Sequence, residues 1–309
     1  MLRGIWTSLY KGEIPSLPTE KTNKILLVVG LCLSVFLLSN CMRVALRVSP
    51  SLFPNFTTSI FEECDIELAE KAIPANLKLL EGLLKNDPDN KQILTTLSMG
   101  FGGYSMLFVE GEEPERASRL YLRARDYGVR ALGEKGVGLR NAKEGKEGLQ
   151  GLLQTLGKED LEPLFWITVS WNAWINLNLD KPAALAQLSV SQALLERVME
   201  IDATYFQGLP HILMGVSLSA RPPMLGGNAR LAKEHFDKAL QLSHGKFLLA
   251  QYYLARYYAV RVQDKPLFLR LTGEIEKMNP GELRDVCLIN SVMQHKAKRL
   301  REMVDEFFL

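Results

Sequence analysis

A pair of helix patterns occurs twice along this chain, and the recurrence constrains its fold more than any other feature. The first pattern places a small residue among large apolar ones at helical spacing, at residues 94–101 and 211–218. The second is small-x3-aromatic-x2-small, at residues 117–124 and 232–239. Small residues let two helices approach closely while the larger ones fill the angle between them. Recurrence after turn signals is typical of stacked helical hairpins.

Most of the remaining body is also helix-periodic, and no pair of strands with a hairpin turn is recognisable. A helix over residues 161–177 with a partner over 188–201 forms another pair, and residues 252–278 form the last. Residues 284–307 form a closing helix. The sequence therefore predicts an all-α, tetratricopeptide-like helical-hairpin solenoid, a right-handed superhelix of about four helix pairs plus a C-terminal capping helix. An unrelated helical bundle is the alternative.

The apolar run at residues 25–38 has the layout of an export signal, because it follows two lysines and ends in small residues. As a helix it spans about 21 Å, which is short against a hydrocarbon core of about 30 Å. Its ending, Leu-Ser-Asn-Cys, resembles a bacterial lipobox, although Asn40 stands where Gly, Ala or Ser is usual. We expect a lipoprotein signal peptide over residues 1–40 and lipidation at Cys41. An uncleaved signal anchor and a soluble cytoplasmic chain are the alternatives.

The segment that follows the predicted lipidation site separates it from the helical body. Residues 41–62 contain two prolines, several Ser and Thr, and no sustained helical period, so we expect a tether there. Residues 63–309 are expected to form the tetratricopeptide-like helical-repeat domain. Pro74 is predicted to occupy a first helical turn, ahead of an apolar stripe that begins at Leu77.

Charge and cysteine usage narrow the choice of partners. The chain has a net charge of +2, and basic and acidic side chains balance once residues 1–40 are removed. A neutral body lacks the basic excess that phosphate-dominated binding requires, so nucleic acid is not an expected partner. Cys64 and Cys287 stand alone in their segments. A disulfide between them is permitted after export, but two buried, unpaired thiols are the favoured interpretation.

No catalytic site is predicted. The four histidines are scattered, and neither HExxH nor GxSxG occurs. No nucleophile with a nearby base and no metal-ligand spacing is recognisable, so we expect neither an enzyme nor a cofactor.

The helix over residues 161–177 is apolar around most of its circumference. At 100° per residue, Trp171 points about 140° away from Trp166, and Trp174 about 80° away. One core therefore cannot take both Trp166 and Trp171. In one interpretation the helix is buried between two layers of solenoid core. In the other, Trp171 and the neighbouring Asn172 line an apolar groove, pore or partner surface.

A series of motifs runs through the body in a characteristic order and spacing. It consists of Asp65-x-Glu-Leu-Ala, Leu77-Lys-Leu-Leu-Glu-Gly-Leu-Leu, Ala117-x2-Leu-Tyr-x-Arg-Ala-x-Asp-Tyr-Gly128, residues 166–174, Pro222-x2-Leu-Gly-Gly227 before Ala232-x2-His-Phe-x2-Ala239, and Leu288-x-Asn290-x5-Lys-Ala-x2-Leu300. Together these motifs resemble the T component (TatT-type) of tetratricopeptide-associated TRAP transporters.

The resemblance implies a periplasmic, membrane-anchored lipoprotein that associates with the extracytoplasmic solute-binding P protein of a sodium- or proton-driven carrier. It also implies a trimer with an apolar pore or cavity and a hydrophobic or amphipathic solute, with no catalytic residues. Trp171, Asn172 and Trp174 are the candidate pore or partner positions, together with the turn Leu225-Gly226-Gly227. That turn precedes Asn228, which is expected to cap the next helix.

Two functions of different classes follow. In the leading hypothesis the protein docks the ligand-loaded P protein and helps deliver a hydrophobic solute to the permease. The alternative is a tetratricopeptide scaffold lipoprotein of envelope assembly with no solute role. Adjacent genes for a P protein and a large permease would favour the first.

Overall fold

The computed structural model describes residues 52–141 and 146–308, together with Lys24 and residues 27–29. The predicted leader and Cys41 lie outside the described residues, apart from those four positions. Within the described residues the chain is all-helical and has no strand. The α-helices are, in chain order, α1 Leu52–Phe61, α2 Ile66–Leu84, α3 Lys91–Tyr104, α4 Pro114–Ala131, α5 Glu134–Asn141, α6 Lys146–Gln154, α7 Leu161–Asn176, α8 Pro182–Leu185, α9 Leu188–Asp202, α10 Tyr205–Ala220, α11 Ala229–Leu242, α12 Leu248–Tyr253, α13 Lys265–Lys277, α14 Cys287–Glu302 and α15 Val304–Phe307.

Consecutive helices pack in pairs: α3 with α4, α7 with α9, α10 with α11, and α12 with α13. Each pair also contacts the next, because α4 packs on α7, α9 on α10, and α10 on α12. The closing helix α14 packs against α12 and α13 and also against α1 and α2. The end of the chain therefore lies beside its beginning.

Small residues stand where paired helices approach. Ala117, Ala124, Ala232 and Ala239 are fully buried, as the repeating pattern predicted. A Cβ at Gly215 of α10 would lie only 2.8 Å from the ring of Phe236 in α11. The pattern thus identified the contact positions of the two matched hairpins.

The N-terminal part of the body differs from the expectation in two ways. Residues 52–61 form helix α1 instead of an irregular tether, and Phe53 is buried. Helix α2 begins at Ile66, capped by the Asp65 carboxylate on two backbone amides, so that Pro74 lies inside the helix rather than in its first turn. A buried face that includes Ile73 and Leu77 supports the helix past the proline, because tertiary packing outweighs local propensity.

The expectation of unpaired cysteines is wrong. Cys64 and Cys287 form a disulfide that joins the segment just ahead of α2 to the first residue of α14, across 223 residues. The fold explains the pairing, because α2 and α14 are packed neighbours despite their separation in sequence. Sequence spacing carries no information about a contact of that range.

Candidate functional site

The first helices of all four pairs, or the turns that directly continue them, line a cavity of about 40 Å³. The second helix α4 contributes one further residue. The lining residues are Met106, Glu110, Tyr121, Val169, Asn172, Ala173, Asn176, Leu213, Val216, Ser217, Tyr253 and Tyr257. Polar and apolar side chains are mixed in this lining, whereas the family resemblance implied an apolar pore.

Two walls of the cavity contain π-helical turns. One is Ser105–Val109, which continues α3, and the other is Leu254–Ala259, which continues α12. An inserted residue of this kind re-aims the side chains beside it, and π-helical turns are frequent at functional sites. Met106 and Glu110 lie at the first turn, and Tyr257 lies in the second.

Glu110 is the acidic residue of this lining. The hydroxyl of Tyr121 donates a hydrogen bond to its carboxylate. Burial raises the pKa of Glu110, while that hydrogen bond and the positive charges of Lys296 and Arg256 act to lower it. The carboxyl group therefore sits where its ionised form is poorly solvated.

Three tyrosines complete the polar side of the cavity. The rings of Tyr253 and Tyr257 meet edge to face with centroids 5.3 Å apart. Burial raises the pKa of Tyr121, Tyr253 and Tyr257, so their hydroxyls stay protonated at neutral pH. Tyr253 and Tyr257 belong to a tyrosine-rich segment at residues 252–258. The sequence analysis gave no indication of Glu110.

Asn172, one of the predicted site residues, does line the cavity. Its Oδ1 accepts hydrogen bonds from Ser217 Oγ at 3.3 Å and from Arg221 Nη2 at 3.1 Å. Its Nδ2 donates to the carbonyl of Thr168 at 3.0 Å. Arg221 is buried, and burial lowers its pKa. The amide of Asn172 is thus held in one orientation from α10 and from its own helix.

Trp171 and Trp174 do not line this cavity. Trp171 is 8% exposed and donates from Nε1 to Gln187 Oε1 at 2.8 Å, and the guanidinium of Arg125 lies 5.0 Å from its ring centre. Trp174 is half-buried, and Trp166 is buried with Phe165 against it. Helix α7 therefore has a buried tryptophan on each of two sides, because it packs on both α4 and α9.

The turn Leu225-Gly226-Gly227 is a surface feature and does not line the cavity. Leu225 is partly exposed and the adjacent Met224 is 89% exposed. The amide of Gly226 donates to the carbonyl of Pro223, and that of Gly227 to the carbonyl of Pro222. Both amides are therefore hydrogen-bonded within the turn. Asn228 caps α11 by accepting from the amide of Leu231 at 3.1 Å, as the sequence predicted.

Two of the scattered histidines meet in the fold. His211 of α10 and His235 of α11 place their Nδ1 atoms 2.9 Å apart. Burial, followed by the neighbouring His235, lowers the pKa of His211 to about 4. Across the described residues no group of three or more His, Cys, Asp or Glu could hold a metal ion. None of the helices that the structure describes is long and apolar enough to cross a membrane.

Comparison with known proteins identifies the family. The model of the family described as "TRAP transporter T-component" matches residues 62–308. An uncharacterized protein of Treponema pallidum (strain Nichols) is 21% identical over 271 residues, which covers 82% of this chain and 84% of the relative. The match to the family model spans nearly the whole described body, and the chain belongs to the TRAP transporter T-component family.

Proposed function

We propose that this protein is a periplasmic lipoprotein that binds the solute-binding P protein of a TRAP transporter and helps deliver a hydrophobic or amphipathic solute. Membership of the T-component family supports an accessory role in TRAP transport. The observation that carries the solute part of the proposal is this cavity, because the first helices of all four pairs, or the turns that continue them, contribute to it. Small-molecule sites in helical proteins are often formed between several helices.

The proposed location depends on export and on an anchor at Cys41, the last residue of the Leu-Ser-Asn-Cys sequence. The Cys64–Cys287 disulfide supports export, because such bonds persist in oxidising compartments and are rare in the cytosol. In this proposal residues 1–40 are removed and the lipid at Cys41 holds the repeat domain, residues 63–309, at the membrane. Labelled fatty acid should enter the wild type and not Cys41→Ala, which should remain uncleaved.

The architecture proposed for this role is a tetratricopeptide-like right-handed solenoid that assembles as a trimer. The sequential packing of the helix pairs and the buried alanines at their contacts support the solenoid. The exposed Met224 and Leu225, on the turn that includes Gly226 and Gly227, offer an apolar projection for the P protein or a second subunit. Trp174, which is half-buried, is the second candidate partner position, and Asn172 is assigned to the cavity.

A cavity-filling variant tests the solute role. Ala173 lines the cavity, so Ala173→Phe should fill it and abolish binding of an amphipathic probe such as hexanol, measured by calorimetry on the purified mature protein. Ala186→Phe is the matched control, because Ala186 is exposed at the end of α8. Equal binding by both variants would contradict the assignment of this cavity to the solute.

A further inference from the structure

A second, much larger cleft lies between helices α1, α3 and α10 and the start of α7. Its volume is about 710 Å³, and it shares no lining residue with the cavity that Asn172 lines. A space of this size can take a small molecule. The charged residues of its lining are all exposed and therefore stand at its rim: Lys91, Lys158, Glu159, Glu162 and Asp285. The interior of the cleft is uncharged.

Aromatic rings and neutral hydrogen-bonding groups form this interior. Phe61, Tyr205 and Phe206 are half-buried in the lining, and the rings of Phe61 and Phe206 have centroids 5.1 Å apart. Thr95 and Thr96 of α3 contribute hydroxyl groups to the same lining. Aromatic surroundings favour an aromatic ligand through edge-to-face and offset contacts. An ion would lose its hydration there without gaining a counter-charge, so the interior suits an uncharged molecule.

The first turn of α10 supplies three consecutive residues to this cleft: Tyr205, Phe206 and Gln207. In a right-handed α-helix three consecutive side chains spread over about 200° of the circumference, so they would diverge from a single cleft. Here φ is 45° at Phe206, 60° at Gln207 and 77° at Gly208, so the backbone is left-handed through this turn. That conformation is unfavourable for residues other than glycine, and strain of this kind is concentrated at functional sites.

The surrounding contacts hold the strained turn in place. The ring of Phe206 packs on Trp166 and on Phe247, in each case with centroids 6.2 Å apart. The side-chain amide of Gln207 is half-buried and makes no hydrogen bond within the part of the chain that the structure describes. Its donor and acceptor atoms therefore remain available to a ligand in the cleft.

We propose that this cleft binds an uncharged aromatic ligand, with Phe61, Tyr205 and Phe206 around its ring and Gln207 hydrogen-bonded to a hydroxyl or a similar polar substituent. The inference goes beyond the proposed function, because it assigns a second site that is separate from the cavity of Asn172. The two assignments can be tested independently: Ala173→Phe, which fills that cavity, should leave binding in this cleft unchanged.

Four probes of similar shape test the ligand class by calorimetry on the purified mature protein: 2-naphthol, its saturated analogue decahydro-2-naphthol, 2-naphthoate and 2-naphthylmethylammonium. 2-Naphthol should bind about fivefold more tightly than the saturated alcohol, because the rings of the cleft favour an aromatic partner. It should bind about tenfold more tightly than either ion, because an ion loses hydration in an uncharged interior. Equal affinity of the saturated alcohol or of an ion, or no binding of 2-naphthol, would overturn the proposal.

Two glutamines with left-handed backbone provide matched variants. Gln207→Gly should relieve the strain and raise the unfolding midpoint, yet weaken 2-naphthol binding severalfold because the amide is lost. Gln263→Gly makes the same change at a φ of 57° in an exposed turn outside the cleft, and it should leave binding unchanged. Phe206→Leu should abolish the preference for 2-naphthol over its saturated analogue. Wild-type affinity in Gln207→Gly, or an unchanged preference in folded Phe206→Leu, would contradict the assignment.

Discussion

Cys64 and Cys287 are bonded to each other, with their Cα atoms 5.2 Å apart, although 223 residues separate them in the chain. The bond fastens the start of the family domain to its closing helix. Beside it, Arg284 forms an ion pair with Glu62 across the same junction at 3.2 Å. The two ends of the body are therefore held together covalently.

Reduction of this disulfide should destabilise the protein by about 2–5 kcal/mol, because a long loop in the unfolded chain is released. Urea unfolding of the mature protein with and without reductant measures the difference. Without reductant, Cys64→Ser should already have the stability of the reduced wild type, and adding reductant should not change it further. Equal midpoints for the oxidised and reduced wild type would contradict the prediction.

Enlarging a helix-contact alanine should overpack the first hairpin. Ala124 is fully buried, and Ala124→Leu should cost about 1–3 kcal/mol of unfolding free energy. Arg119→Leu, at an exposed position of the same helix, serves as the control and should stay within about 0.5 kcal/mol of the wild type. Thermal and chemical denaturation of both variants would show the contrast, and equal losses would count against the helix pairing.

Trp171 offers a test of its role, because burial and binding make different predictions. Its ring is 8% exposed and its Nε1 is hydrogen-bonded to Gln187, so Trp171→Ala should cost about 3–5 kcal/mol. Trp174→Ala, at a half-buried position on the same helix, should cost less. A stable Trp171→Ala protein that had lost probe binding would place Trp171 in the binding site instead.

Stability should fall as the pH drops below neutral, because His211 resists protonation in the folded protein. Its pKa is lowered to about 4, whereas in the unfolded chain it titrates near its ordinary value. Between those two pKa values the unfolded state binds more protons, so the free energy of unfolding falls as the pH is lowered and is fully retained above the unfolded pKa. After allowance for the partial exposure of the pair, the loss from pH 7 to 5 should be about 1 kcal/mol.

Urea midpoints at the two pH values measure this effect. His211→Gln should show a shallower dependence on pH than the wild type. His295→Gln, at an exposed position, should follow the wild type. If the urea midpoints of the wild type and His211→Gln changed equally with pH, the histidine pair would be excluded as the source of the pH dependence.

The helix-pair contacts could be predicted from sequence because they are local and periodic: Ala117 and Ala124 recur at the spacing that a helix face imposes. The same geometry showed that Trp166 and Trp171 cannot share one core, and in the fold they are buried on different sides of α7. Contacts between distant segments left no such signal, which explains the error over the disulfide.

The cavity was only partly accessible to sequence reasoning. Asn172 was singled out from the sequence. Glu110 was not, because it follows a π-helical turn that shifts the helical phase, so an ideal 100° rotation per residue places it wrongly. Its environment is also made by helices from across the chain, including Lys296 of α14. The proximity of these charges depends on tertiary packing that no local pattern encodes.

The most direct test of the account is affinity capture of the full-length protein from crosslinked cells of the organism that encodes it. An unrelated lipoprotein domain fused to residues 1–62 of this chain controls for enrichment by the anchor alone. We predict specific recovery of an extracytoplasmic solute-binding protein with the native bait and not with the fusion. Recovery of envelope assembly proteins alone would contradict the transport role and favour a scaffold that binds no solute.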